Sequence, residues 1–295
     1  MSSSSVGSAA RGRTSPPASP TSRPSDPMTP ISRHPIAPDL AIARVLTGLW
    51  QMADQERDGR AFDLDRAADA MRPYVEAGFT TFDMADHYGS SEEVVGRFRT
   101  RAGAPATQLL TKWVPEPGPL TRDDVRAAVD RARRRMRVDR IDLLQFHAWS
   151  YAHPAWLDAL GYLDDLRREG VIGHLGLTNT DTAHLRLVVE SGIPIATNQI
   201  CYSLLDQRAA GEMAAYCARK GIALLAFGTL AGGFLSDRWL GAPEPAWETL
   251  ATWSQMKYGR FIRIVGGWAA LQRVLRAARA VADRHGCSVA NVASR

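Results

Sequence analysis

Thr81-Phe82-Asp83-Met84-Ala85-Asp86-His87-Tyr88-Gly89 decides the reading of this chain: a strand expected over Thr80–Met84 runs straight into an acid, a phenol and a glycine. Carboxyl and phenol groups at a strand exit are poor core material but good proton-transfer chemistry. Two later strands end the same way. Leu109-Leu110-Thr111 runs into Lys112, and Ile141-Asp142-Leu143-Leu144-Gln145-Phe146 runs into His147. Acid, phenol, amine and imidazole at the C-terminal ends of successive strands form the arrangement a barrel active site requires.

Around this stretch, short apolar runs alternate with helical patterns, the signature of consecutive βα units. The first strand is expected near Arg44–Trp50 and a helix over Leu64–Ala77, stopped by Gly78. Further strands are expected at Gln108–Lys112, Ile141–Phe146, Gly173–Leu177, Ile195–Gln199 and Ile222–Phe227. Helices are expected from Ser91, from Thr121 to Arg137, from Ala155 to Gly170, over Asp181–Glu190, over Arg208–Lys220 and over Trp268–His285, with another starting at Ser288. An open doubly wound sheet competes, but the first βα turn has no Gly-x-Gly-x-x-Gly. The expected architecture is therefore a (β/α)8 TIM barrel, with seven units in sight and strand 8 not reached before Arg295.

Residues 1–40 differ in kind. They are rich in Ser, Pro and Arg, have no apolar periodicity, and are expected to be a disordered leader ahead of a barrel domain over 41–295. Met28 is an alternative start. The composition also allows an organelle transit peptide, although its prolines would break an amphipathic helix. The 295 residues are 45% hydrophobic and 23% charged, ordinary for a globular protein. The net charge of +5 is modest and partly carried by the leader, which argues against nucleic acid as a partner. No apolar run is long enough to span a membrane. Cys201, Cys217 and Cys287 lie far apart without metal-ligand spacing, so no metal is expected. An odd cysteine count without a framework is the usage of a reducing compartment, and a cytoplasmic location is expected.

A phenol titrates near ~10, so Tyr88 alone is a reluctant acid at neutral pH. A nearby ammonium lowers that value, and a carboxylate keeps the ammonium charged. Lys112 paired with Asp83 is the expected tuner, with His147 directing a hydrogen bond at the same oxygen. Singly, each residue has a bland reading as a packed phenol, a helix cap or a structural imidazole; as a matched set they point to proton delivery onto a carbonyl.

The chain here resembles the aldo-keto reductase superfamily over roughly residues 42–295. Asp83, Tyr88, Lys112 and His147 match its catalytic tetrad in order and context. Gly176-Leu177-Thr178-Asn179 resembles the family's Gly-Val-Ser-Asn segment, and Asn198-Gln199-Ile200-Cys201-Tyr202-Ser203 its Asn-Gln-x-x-Tyr-Ser segment. The run from Ala226 through Gly228, Leu230, Gly232 and Gly233 to Leu235 resembles the loop after its seventh strand.

The resemblance implies NADPH-dependent reduction of a small-molecule aldehyde or ketone, with Tyr88 as general acid. It implies that Thr178, Asn179 and Gln199 hold the nicotinamide carboxamide and that Tyr202 stacks on the ring. Gly228, Leu230 and Gly232 would lie along the pyrophosphate. In the family, strand 8 with its loop and helix completes the barrel and grips the adenosine 2′-phosphate, so a chain ending at Arg295 is expected to bind cofactor weakly. Trp50, Trp113 and Trp149 are expected to wall the substrate pocket. The aromatic-rich stretch from Ser236 to Gly267 is expected as a lid or as packing over the barrel rim. The alternative function is a nicotinamide-binding regulatory module with little turnover. A barrel hydrolase would need paired carboxylates, and Asp83 with Asp86 is too close a pair to flank a bond.

Overall fold

The computed structural model describes residues 31–56, 61–250 and 252–295, so residues 1–30 of the leader lie outside the described residues. The leader's expected boundary at residue 40 runs through a β-hairpin, a correction to the expectation of disorder. Strands β1 (Arg33–Ala37) and β2 (Leu40–Ala43) pair antiparallel, with Ile36, Leu40 and Ile42 buried. The Pro-rich composition concealed this short alternation of apolar residues.

The main sheet has seven parallel strands in sequential order. They are β3 (Thr47–Gly48), β4 (Thr81–Asp83), β5 (Gln108–Trp113), β6 (Ile141–Phe146), β7 (Ile172–Thr178), β8 (Thr197–Cys201) and β9 (Ala223–Phe227). Alternation along each strand sorts its side chains between two layers. Phe82, Leu109, Trp113, Leu144, Phe146, Leu175, Leu177 and Ile200 join the large core beneath the helices. Leu110, Leu143 and Leu225 point the other way and meet Ile36, Leu40 and Ile42 of the hairpin in an inner core.

The sheet is curled. Gln199 on β8 donates to Asp83 on β4 at 2.9 Å, whereas four steps of roughly 4.8 Å would hold those strands about 19 Å apart in a flat sheet. The hairpin closes the N-terminal end of the curl. The Ala43 N–H donates to Thr81 Oγ1 at 2.9 Å, and His174 bonds Asp39 at 2.7 Å.

The flanking helices are α1 (Gln51–Gln55), α2 (Leu64–Asp69), α3 (Arg72–Glu76), α4 (Ser91–Arg99), α5 (Arg122–Met136), α6 (Ala155–Arg168), α7 (Thr182–Glu190) and α8 (Glu212–Lys220). After β9 come α9 (Trp253–Ile264), α10 (Gly267–His285) and α11 (Val289–Ser294). The single helix expected over 64–77 is two helices. Pro73 lacks the N–H that would bond the Asp69 carbonyl, so the chain breaks at Ala70–Met71 and restarts with proline in the first turn. Thr121 and Asp124 form the expected start of α5 as a reciprocal capping box, worth ~1 kcal/mol. Helices α4 and α5 cross where Gly96 lies: a Cβ there would stand 2.1 Å from the Arg135 carbonyl oxygen.

The stretch between β9 and Gly267 is more ordered than its irregular pattern suggested. It holds three 3-10 turns and the whole of α9. Tyr258, Trp239, Trp247 and Phe261 form a second core with Phe234, Leu271 and Leu275. No helix among the described residues is long and apolar enough to cross a membrane.

Candidate active site

The inward positions at the C-terminal ends of β4, β5, β6 and β8 carry Asp83, Lys112, Gln145 and Gln199. They replace the apolar inner layer one turn of the pleat further down. Lys112 Nζ donates to Asp83 Oδ2 at 2.6 Å and to the Met84 carbonyl at 2.8 Å. Gln145 Nε2 and Gln199 Nε2 both donate to Asp83 Oδ1, at 3.0 and 2.9 Å. A buried carboxylate requires such a shell of donors. Lys112 is 1% exposed. Burial disfavours its charge, but Asp83 and Tyr88 outweigh burial and hold the ammonium above its ordinary value.

Tyr88 lies beyond Asp83 on the loop leaving β4, its ring centroid 4.6 Å from the Lys112 ammonium. Lys112 was expected to lower the phenol's pKa. Its pull is present, but burial is stronger and leaves Tyr88 above its ordinary value of 10.0. The phenol is therefore loaded with its proton at neutral pH, as a donor needs to be. The turn behind it is clamped: both Glu56 carboxylate oxygens accept from the Ser90 N–H, at 2.9 and 3.1 Å.

His147 follows β6 and faces Asn179, with Nε2 3.4 Å from Asn179 Nδ2, while its Nδ1 is buried with no partner among the described residues. Burial, then the electrostatic influence of the neighbouring His87 and Lys112 side chains, pushes its pKa down to about 4. His147 is thus a neutral hydrogen-bonding imidazole at physiological pH. Asn179 holds a left-handed backbone conformation at φ 54°, one that asparagine tolerates. Its N–H donates to the Gln199 carbonyl at 2.8 Å, which sets the two amide side chains at adjacent strand ends. Beside them Thr178 points inward with a buried hydroxyl that has no partner among the described residues. Tyr202, at the exit of β8, is half-buried against the main core, and its N–H donates to the Phe227 carbonyl at 3.1 Å.

Of the expected pocket walls, two stand at the mouth. Trp50 meets Tyr88 edge-on with ring centroids 5.0 Å apart, and Trp149, 66% exposed, packs edge-on against His87 and His147. Trp113 does not line the mouth. It follows Lys112 by one residue, so it points to the opposite face and packs in the main core against Phe146.

The glycines after β9 have a packing reason. Gly228 has φ +74°, and a Cβ there would meet Tyr258 Oη at 2.0 Å; one at Gly232 would meet the Ser254 carbonyl at 3.0 Å. The room those two side chains leave is therefore taken by α9, whereas Gly233 faces open space. Leu230 is half-buried in the second core. Within the stretch from 236 to 267, Trp239, Trp247, Tyr258 and Phe261 pack in the second core, while the Trp253 ring lies 5.8 Å from that of Trp50.

Sequence reasoning missed Gln145, His87 and Lys257. Gln145 was legible as the inward neighbour of Lys112 in register. Lys257 Nζ lies 4.6 Å from the Phe227 ring centroid, at a place only the fold of α9 reveals.

The family model for the aldo/keto reductase family matches residues 44–295. An aldo-keto reductase of Mycobacterium sp. (strain KMS) is 33% identical over 200 residues, covering 66% of this chain and 66% of that protein. The flagellar radial spoke protein 5 of Chlamydomonas reinhardtii is 28% identical over 253 residues, covering 72% of this chain and 48% of that protein. The chain thus spans about half the length of the one relative and about two thirds of the other. The structure of the glycerol dehydrogenase AKR11B4 from Gluconobacter oxydans superposes with a TM-score of 0.69 at 23% identity, covering 86% of this chain and 79% of that one, a likeness of fold. The chain belongs to the aldo/keto reductase family.

Proposed function

We propose that the protein reduces an aldehyde or ketone to an alcohol with a hydride from NADPH, Tyr88 giving the proton. The observation that carries this reading is the buried Asp83–Lys112 pair at 2.6 Å with its ammonium beside the Tyr88 ring. A substrate carbonyl oxygen seated between Tyr88 and His147 receives a hydrogen bond from each. As charge develops on that oxygen, the phenol proton crosses to it, and the phenolate left behind is stabilised by the Lys112 ammonium. Asp83 keeps that ammonium charged and aimed; Gln145 and Gln199 hold Asp83.

The residues present fit a nicotinamide. The unpartnered Thr178 hydroxyl, with the Asn179 and Gln199 amides beside it, offers the donors and acceptors that a planar carboxamide requires. Tyr202 would flank the ring, and the backbone of 228–233, open at Gly233, would lie along the diphosphate. Bound NADPH would supply the hydride. Its preference over NADH rests on family membership.

The test is direct. Titrating NADPH and NADH into the protein should quench tryptophan fluorescence, because Trp50, Trp149 and Trp253 flank the site, and an added aldehyde should then be consumed. Absence of quenching with either nucleotide would contradict the reading.

A further inference from the structure

His87 stands at the centre of the mouth, and the proton-transfer scheme does not use it. Its ring centroid lies 4.8 Å from Tyr88, 6.1 Å from His147, 5.7 Å from Trp149 and 6.5 Å from Trp50. It is therefore a polar side chain adjacent to a carbonyl seated on the Tyr88–His147 pair. A ring needed only for packing could be phenylalanine, but here the imidazole is held by a built contact. Nδ1 lies 2.9 Å from Asp86 Oδ1, and the other Asp86 oxygen accepts the Val114 N–H at 3.1 Å. The Asp86 N–H in turn donates to the Lys112 carbonyl at 3.0 Å, so the dyad is anchored to β5.

A carboxylate only accepts hydrogen bonds, so the His87 proton sits on Nδ1 and Nε2 of the neutral ring carries a lone pair. Nε2 has no partner among the described residues, and the side chain is 28% exposed, open to the mouth. An acceptor placed there complements a hydroxyl donor.

We propose that His87, oriented by Asp86, is a specificity-determining residue that accepts a hydrogen bond from a hydroxyl on the carbon next to the reacting carbonyl, so that the site selects α-hydroxy aldehydes and ketones. The proposal rests on the carbonyl-reductase reading and adds the substrate class to it. The Trp50 and Trp149 rings both lie beside His87, at 6.5 and 5.7 Å, and offer apolar surface to the substrate's short chain.

The experiment compares lactaldehyde with propanal, which differ by that one hydroxyl, with NADPH and with NADH as reductant. The wild-type protein should favour lactaldehyde by about tenfold in kcat/KM, the effect of one partly exposed hydrogen bond. In His87→Phe and in His87→Leu the ratio should fall to about one, mostly through a higher KM for lactaldehyde. Either folded variant decides the question, because general damage would slow both aldehydes together and leave the ratio unchanged. Turnover of both aldehydes with equal kcat/KM in the wild type, or a ratio unchanged in a folded variant, would overturn the subsite alone. Turnover of neither aldehyde would overturn it together with the carbonyl-reductase reading.

Discussion

The Lys112 ammonium and the Asp83 carboxylate meet at 2.6 Å between adjacent strands, and Gln145, Gln199 and Tyr88 are gathered around that contact. It lets a lysine remain charged with 1% exposure beside a phenol that keeps its proton.

Removing the ammonium should cost both chemistry and stability. Lys112→Met should lower the rate of carbonyl reduction by about two to four orders of magnitude, the usual worth of assisted proton transfer. It also leaves a buried carboxylate without its partner, a loss of about 3–5 kcal/mol in a denaturant titration. Loss of rate with unchanged stability would show that Asp83 is satisfied without Lys112.

The Tyr88 phenol lies above its ordinary 10.0, so its protonated fraction is constant through neutral and mildly alkaline pH. The kcat/KM for reduction should therefore show no loss assignable to Tyr88 until the solution passes about pH 10. A pH–rate profile with a falling limb near pH 8 that disappears in Tyr88→Phe would contradict this.

His147 titrates at about 4 in the fold against 6.5 for the free side chain. Between those values the unfolded chain binds the extra proton, so the contribution of His147 to stability is complete above the unfolded value and is lost as pH falls. The full window is worth up to about 3 kcal/mol, with about 2 kcal/mol gone by pH 5. Urea titrations at pH 7 and pH 5 should show a smaller acid loss for His147→Gln than for the wild type.

At Gly96, α4 lies directly against the backbone of α5. Gly96→Ala would place a Cβ 2.1 Å from the Arg135 carbonyl, so the helices must separate. We expect a loss of about 1–3 kcal/mol, read as a lower midpoint in thermal unfolding. A midpoint at or above that of the wild type would show that the crossing relaxes without cost.

Much of the barrel is legible in the order of the residues, because parallel strands read as short apolar runs and helices as wider periodic ones. The four residues proposed for proton transfer were legible for a related reason: Asp83 and His147 each sit one step past an apolar run, Lys112 stands at the end of another, and Tyr88 follows on the loop after Asp83. What was hidden depends on contacts between distant segments. The hairpin over Arg33–Ala43 was masked by a Pro-rich neighbourhood, and α9 by a stretch whose aromatics serve two different surfaces. Trp113 was misplaced because the parity of β5 had not been applied: if Lys112 faces inward, its neighbour cannot. The glycines at 228 and 232 looked like room for a ligand, and only the position of Tyr258 shows what enters that room.

In the proposed reaction the Tyr88 proton completes reduction of a carbonyl by a bound nicotinamide. The measurement that tests it most directly compares Tyr88→Phe with the wild type in two readouts on the same preparations: nucleotide-induced quenching of tryptophan fluorescence, and consumption of NADPH in the presence of an aldehyde. Quenching is expected in both proteins, with consumption lowered by at least about a hundredfold in the variant. Undiminished consumption by Tyr88→Phe would contradict it.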